Sequence, residues 1–275
     1  MKEGAKEPQV KSKQRVADHG EVFTAQSEVN AMCDLVSDAF LNESANFLEP
    51  ACGDGNFLAE ILRRKLAKVT RKYKRSAADY EKHSLIALGS LYGVELLMDN
   101  VEACRERLLK IWDDFYTKAV KKKERREGTE DSARYILEKN IICGNALTLH
   151  KVDENGQDTQ DPIIFSEWTN PNALLLKRKD YSFDNLLKQQ EHPEAPKDRL
   201  KEVEAEEALD FVGTPAPPPK EPEQAAMDLS SLSPKTSSED GEGKFERDFG
   251  LMEYYQLRNF EAQELDVQNT DSSEH

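Results

Sequence analysis

The sequence predicts an α/β fold: an open, largely parallel sheet with crossover helices, cut short on one side and followed by an acidic tail. Three observations carry this. Strand-like and helix-like stretches alternate from residue 46 to residue 168, the order that builds a parallel sheet. A turn, Gly53-Asp54-Gly55, joins the first strand to the first crossover helix. Charge divides the chain: residues 1–190 hold 30 Lys+Arg against 31 Asp+Glu, while residues 191–275 hold 8 against 22. The net charge of −15 therefore belongs almost wholly to the tail, and an evenly acidic globule is excluded.

Each element has its reason. Val29, Met32, Cys33, Val36 and Phe40 recur at helical spacing over Glu28 to Leu41. Asn46-Phe47-Leu48 is a short apolar strand ended by Glu49-Pro50, because proline cannot continue a ladder. Phe57, Leu58, Ile61, Leu62, Leu66 and Val69 mark a helix with a basic outer face, and a second helix runs from Ser76 to Ser90. Leu91 to Leu96 reads as a strand. Val101, Cys104, Leu108, Ile111, Trp112 and Phe115 form one stripe of a long helix from Asp99 to Arg126. Tyr135-Ile136-Leu137 fits helix or strand. Asn140 to Cys143 is a strand stopped by Gly144, Pro162 to Trp168 is a fourth strand, Ala173 to Lys177 is one more, and Ser182 to Lys188 is a short helix.

The sequence thus divides into a flexible N-terminus (1–15), a folded domain (16–190) and a tail (191–275). Glu202 to Asp210 is acidic, Thr214 to Pro219 is Pro-rich, and Ser230 to Gly243 is Ser, Glu and Gly. Such composition buries too little apolar area to offset chain entropy, so disorder is expected. An aromatic island interrupts it at 245–262: Phe245, Phe249, Leu251, Met252, Tyr254, Tyr255, Leu257 and Phe260. Three readings stand: a segment that packs back on the domain, one that docks a partner, or disorder.

Several classes are excluded. No stretch approaches the roughly 18–20 apolar residues of a membrane span. Met1 to Arg15 is charged and lacks the apolar core of a secretory signal. Cys33, Cys52, Cys104 and Cys143 lie far apart with no Cys-x-x-Cys pair, so neither zinc nor a disulfide framework is expected and the cytoplasm is the natural compartment.

The chemistry sits in Glu49-Pro50-Ala51-Cys52-Gly53-Asp54-Gly55-Asn56-Phe57-Leu58. Two glycines let the backbone turn sharply and approach a ligand. The helix that follows presents unpaired N–H groups, at the carboxyl edge where open sheets bind ligands. A dinucleotide fingerprint needs a third glycine where Leu58 stands.

This stretch resembles the cofactor loop of S-adenosylmethionine-dependent, adenine-specific DNA methyltransferases of restriction–modification systems, the restriction endonuclease subunit M type. The resemblance implies a Rossmann-like methyltransferase sheet with S-adenosylmethionine held by Glu49, Pro50, Ala51, Gly53, Asp54, Gly55 and Phe57. Phe23 and Thr24, in Gly20-Glu21-Val22-Phe23-Thr24, are similar to the family's segment over the methionine end, with Ala25 where proline is usual. Glu95, in Gly93-Val94-Glu95, takes the place of the acid that accepts from the ribose hydroxyls. Asn145 and Ala146, in Cys143-Gly144-Asn145-Ala146-Leu147, take the place that meets the adenine amino group, where Asp is usual.

The family's catalytic motif is Asn or Asp, Pro, Pro, aromatic, after the fourth strand. It accepts hydrogen bonds from the target amino group and stacks on the flipped base. Here Asn170-Pro171-Asn172-Ala173 follows Trp168. Asn170 and Pro171 match and are the implied catalytic residues; the second proline and the aromatic are missing. The sheet also stops short of its substrate side. Two functions follow: a DNA adenine methyltransferase subunit, or a catalytically inactive cofactor-binding or assembly module acting with a complete methyltransferase. The same fold acting on RNA, protein or a small molecule is a third. The implied partners are DNA and other restriction–modification subunits, with no membrane.

Three basic stretches suit phosphate contact or a solvated helix face: Arg63 to Arg75, Lys118 to Arg126, and Lys177-Arg178-Lys179. The acidic tail is suited to cover them in cis.

Overall fold

The computed structural model describes residues 15, 24–171, 175–191, 227–228 and 246–259, with the backbone alone for 41, 188–191 and 227–228. The predicted tail at 192–226, 229–245 and 260–275, and most of the N-terminus, lie outside the described residues.

Helix α1 (Gln26–Leu35) opens with Glu28 Oε2 accepting from the Ala25 N–H. It ends where Val36 leaves helical angles, and Ser37–Leu41 continues as a 3₁₀ turn, so the single helix predicted over 28–41 is two pieces. Strand β1 (Phe47–Glu49) leads through the glycine turn into α2 (Asn56–Tyr73). Helix α3 (Ala77–Gly89) is capped by Ser76, whose hydroxyl accepts from the Asp79 N–H. Strand β2 (Leu91–Glu95) and helix α4 (Met98–Ala119) follow. Helix α4 stops at Val120, which is extended, short of the predicted Arg126. The ambiguous Tyr135-Ile136-Leu137 belongs to helix α5 (Thr129–Asn140), which runs directly into β3 (Ile141–Asn145).

Strands β1, β2 and β3 are parallel neighbours, with Phe47 opposite Leu91 and Gly93 opposite Ile141. A hairpin extends the sheet beyond β3: β4 (His150–Val152) and β5 (Asp158–Pro162), both antiparallel. On the other side a two-residue strand, β8 (Met227–Asp228), pairs antiparallel with β1. The six-stranded order is β5-β4-β3-β2-β1-β8.

The predicted fourth strand does not join this sheet. Strand β6 (Ile164–Thr169) pairs antiparallel with β7 (Leu175–Ser182), which pairs antiparallel with β9 (Arg247–Glu253) in a separate three-stranded sheet. A short helix, α6 (Phe183–Glu191), follows β7.

Alternation along the parallel strands builds two cores. Phe47, Leu91 and Ile141 face helices α2 to α5 and pack with Leu58, Leu62, Leu108 and Trp112. Leu48, Tyr92, Val94 and Ile142 point to the opposite face. There Phe165 of β6, Tyr181 of β7 and Phe183 and Leu186 of α6 take the place of crossover helices. The aromatic island packs back on the domain: Phe249, Met252, Tyr254 and Leu257 are buried in the first core. Gly128, at φ +85° before α5, lets the Tyr255 carbonyl approach within 2.2 Å of where a Cβ would stand. The folded unit therefore draws on residues well past 190.

Candidate functional site

The glycine turn sits at the carboxyl edge of β1 and is tied to both neighbouring elements. Cys52 N–H donates to the Val94 carbonyl at 2.9 Å, and Gly55 N–H to the Cys52 carbonyl at 2.8 Å. Gly55 has φ +88°, and a Cβ there would stand 2.6 Å from Cys104 Sγ. Only glycine fits both the angle and the close approach of α4. Among the described residues no side chain caps the first turn of α2, so its leading N–H groups stay available to a ligand.

Glu95, the last residue of β2, organises this edge. Its Oε2 accepts from the Gly53 N–H at 3.0 Å, and its Oε1 accepts from the Leu97 N–H at 3.0 Å and Asn100 Nδ2 at 3.4 Å. One carboxylate thus holds the loop and the start of α4 together. Asp54 pairs with Arg107 at 2.8 Å, and the same guanidinium reaches Asn56 Oδ1. Asn56 Nδ2 donates to the Thr24 carbonyl at 3.4 Å, which brings Thr24 to the loop. Phe57 is half-buried against the helical core. Phe23 lies outside the described residues.

Glu49 ends β1 beneath Pro50 and Ala51. Burial pushes its carboxyl up to about 7, with the Ala51 N–H acting in the opposite sense. Three carboxyl groups, Glu49, Asp54 and Glu95, thus gather at this edge.

Asn145 ends β3 at the same edge, and Ala146 follows it. Asn145 Oδ1 accepts from the Leu147 N–H at 3.0 Å, and its Nδ2 donates to Asp158 Oδ1 at 3.1 Å. Its amide therefore shapes the turn into the β4–β5 hairpin, the plain role of a turn asparagine. Ala146 packs against the second core. Sequence reading missed the apolar groups here: Met98 is 50% exposed and Leu147 95%, with Leu96 partly open beside Glu95. Exposed apolar residues flanking an acid at a strand end are the signal that was available in Glu95-Leu96-Leu97-Met98.

Asn170, with Pro171 after it, stands away from the glycine turn. Strand β6 crosses from Ile163, which packs beside Gly144, to Trp168, whose ring meets Gly89 at the amino end of β2. It delivers Asn170 beside Asn46, the residue before β1. Asn170 therefore lies at the amino edge of the parallel strands and the glycine turn at the carboxyl edge. A strand of five residues separates these by roughly 15 Å. The cause is pairing: β6 joins β7 rather than continuing the parallel sheet.

Several residues of the basic stretches are used within the fold. Lys65 is fully buried and donates to the Glu43 carbonyl at 3.1 Å, to Ser90 Oγ at 2.6 Å and to the Ala45 carbonyl. Arg64 pairs with Asp34 and Glu60. Arg125 donates to the Val120 carbonyl at 2.9 Å, and Arg126 lies over the Tyr254 and Tyr255 rings. Arg178 is buried against Asp180 and Lys177 pairs with Asp248.

Comparison with known proteins returned no match among family models, curated proteins or solved structures. Among the described residues no helix is long and apolar enough to cross a membrane, and no His, Cys, Asp and Glu cluster could hold a metal ion.

Proposed function

We propose that the carboxyl edge of the parallel sheet binds S-adenosylmethionine, and that the chain is the cofactor-binding subunit of a DNA adenine methyltransferase assembly. The observation that carries the first part is Glu95, fixed to the Gly53 N–H at the end of β2 beside an uncapped helix N-terminus. A carboxylate at that strand end suits the two ribose hydroxyls. Leu96 and Met98 offer apolar surface to the adenine ring. Glu49 and Thr24 would serve the amino-acid end. When bound, the cofactor supplies an electrophilic methyl group; this chain's residues hold and orient it.

The DNA-directed part rests on the wording of Glu49 to Phe57 with Gly93-Val94-Glu95 and Gly144-Asn145. With Asn170 at the far edge, residues that handle the target base come from a partner chain, which favours the assembly module over a self-sufficient methyltransferase.

The test is calorimetric titration with S-adenosylmethionine. One-to-one binding is expected, weakened about tenfold or more in Glu95→Ala by loss of charge-assisted hydrogen bonds. The purified chain alone should transfer no radiolabelled methyl group to mixed DNA. Absence of binding overturns the cofactor reading; methylation by the chain alone overturns the division of labour.

A further inference from the structure

Arg107 stands in the middle of α4 with no acid at helical spacing. The positions three and four away on either side are Ala103, Cys104, Lys110 and Ile111. An arginine on a helix surface commonly pairs with its own helix at that spacing; this one reaches off the helix. Its Nη2 donates to Asp54 Oδ2 at 2.8 Å and its Nη1 to Asn56 Oδ1, partners 53 and 51 positions away. The pair with Asp54 is sheltered, with side chains 28% and 17% exposed, so solvent screens it less than an open surface pair.

The two partners flank Gly55, the residue at φ +88°. One planar group therefore spans the positive-φ position of the turn. Cys104, one helical turn before Arg107 on the same face of α4, supplies the floor. Its Sγ lies 2.6 Å from where a Cβ on Gly55 would stand. Asn56 passes the constraint on: Arg107 takes its Oδ1, and its Nδ2 donates to the Thr24 carbonyl at 3.4 Å. A single side chain of α4 thus holds the glycine turn and, through Asn56, the segment before α1. Asp54 is turned toward α4, with Oδ2 on Arg107 and Oδ1 closed off from solvent. Its carboxylate is engaged within the fold.

We infer that Arg107 is the positioning residue of the carboxyl-edge site, setting the glycine turn and Thr24 in the shape that receives a ligand. Asp54 and Asn56 act through Arg107 and not by touching that ligand. The inference rests on the reading of this edge as the S-adenosylmethionine site and names the parts that shape it. A turn fixed before binding loses little freedom on binding.

Calorimetric titration of the full chain with S-adenosylmethionine tests this as a double-mutant cycle. Arg107→Ala and Asp54→Ala should each weaken binding about tenfold. The double variant should also lose about tenfold, not about a hundredfold, because both changes remove one contact. Arg107→Lys keeps the charge beside Asp54 but not the fork, and should recover part of the loss. If Arg107→Ala does not fold, Arg107→Lys with and without Asp54→Ala completes the cycle. Losses that multiply would put Asp54 on the ligand and overturn the assignment. So would a lowered urea midpoint with unchanged affinity of the folded chain, the mark of a purely structural pair.

Amide hydrogen exchange of the unliganded chain separates this inference from the cofactor reading. The Gly53 and Gly55 N–H groups, held by Glu95 and the Cys52 carbonyl, should exchange about tenfold faster in the Arg107 variants, with the β2 amides unchanged. Unchanged exchange at both glycines overturns the role of Arg107. Faster exchange in a chain whose wild type binds no S-adenosylmethionine upholds the hold on the turn and overturns the cofactor reading alone.

Discussion

Tyr254 and Glu81 stand 173 positions apart, and their buried side chains share a hydrogen bond of 2.8 Å. Glu81 also accepts from Tyr116 Oη at 2.7 Å and the Arg126 N–H at 3.0 Å. A fully buried carboxylate is tolerated because three donors satisfy it. Burial, then the bonds to Glu81, raises the hydroxyls of Tyr254 and Tyr116 above the ordinary tyrosine range, so both remain donors. The same contact fixes the segment that carries β9 onto the helical core.

Tyr254→Phe should therefore destabilise the fold by about 1–3 kcal/mol, the cost of one unsatisfied buried acceptor. Ending the chain at residue 244 should cost more, because Phe249, Met252 and Leu257 leave the core at about 1.5–3 kcal/mol each. Urea unfolding of the two variants checks this. A truncated chain with an unchanged midpoint would show that the segment contributes nothing to the folded unit.

Glu49 gives a pH dependence. Its carboxyl is raised from 4.5 to about 7 in the fold, so the folded state holds the proton more tightly than the unfolded one. The stabilisation is fully present below about pH 4.5 and is lost as pH rises through 7. The size is on the order of 3 kcal/mol. Glu49→Gln should flatten the curve of stability against pH between 5 and 8, read by urea unfolding at each pH. Ionised Glu49 also favours a cationic ligand, so affinity for S-adenosylmethionine should rise over the same window in the wild type and not in Glu49→Gln.

Gly55→Ala should strain the loop twice, through φ +88° and through the Cβ placed 2.6 Å from Cys104 Sγ. The expected loss is about 1–3 kcal/mol of stability, with cofactor binding abolished or nearly so. Adding Cys104→Ala removes the steric part and leaves the backbone part, so the double variant should recover partly in thermal unfolding. Full recovery would mean that the positive φ is unimportant.

Asn170→Ala should leave the affinity for S-adenosylmethionine within about twofold, because the residue stands at the opposite edge of the sheet. Calorimetry beside Glu95→Ala makes the comparison. A large loss in Asn170→Ala would return that residue to the cofactor edge and contradict the path of β6.

What the sequence disclosed and what it withheld have separate physical causes. Apolar stripes such as Val101 to Trp112 and the runs at Phe47, Leu91 and Ile141 are local signals, and the elements they mark are present. The β4–β5 hairpin carries Asn155-Gly156, with Gly156 at φ +73°, yet β5 is mostly exposed and shows little alternation to read. The extended character of Ile164 to Trp168 is local, but its partner is not: β6 pairs with β7, and β7 with a strand some seventy residues later. Periodicity names a strand without naming its neighbour, and that neighbour decides which edge Asn170 reaches. The contact of His83 Nδ1 with Glu43 Oε1 at 2.8 Å joins residues forty positions apart, so no motif could have announced it.

The last prediction concerns Lys177-Arg178-Lys179, a phosphate-binding candidate by composition. Arg178 is buried and bonds Asp180 Oδ2 at 2.7 Å, Ser166 Oγ at 2.9 Å and Tyr135 Oη at 2.5 Å. Its guanidinium lies 3.9 Å from the centre of the Phe249 ring, which joins β6, β7, β9 and α5. Arg178→Ala leaves Asp180 buried without its cation and should cost about 3–5 kcal/mol. Arg178→Lys should not rescue it fully, because an ammonium cannot reproduce the planar fork or its stacking. Lys177→Ala, losing only a half-exposed pair with Asp248, should cost about 1 kcal/mol or less. If instead Arg178→Ala stayed as stable as the wild type and lost only DNA affinity at low salt, the residue would belong to a nucleic-acid surface and not to the junction of the second sheet.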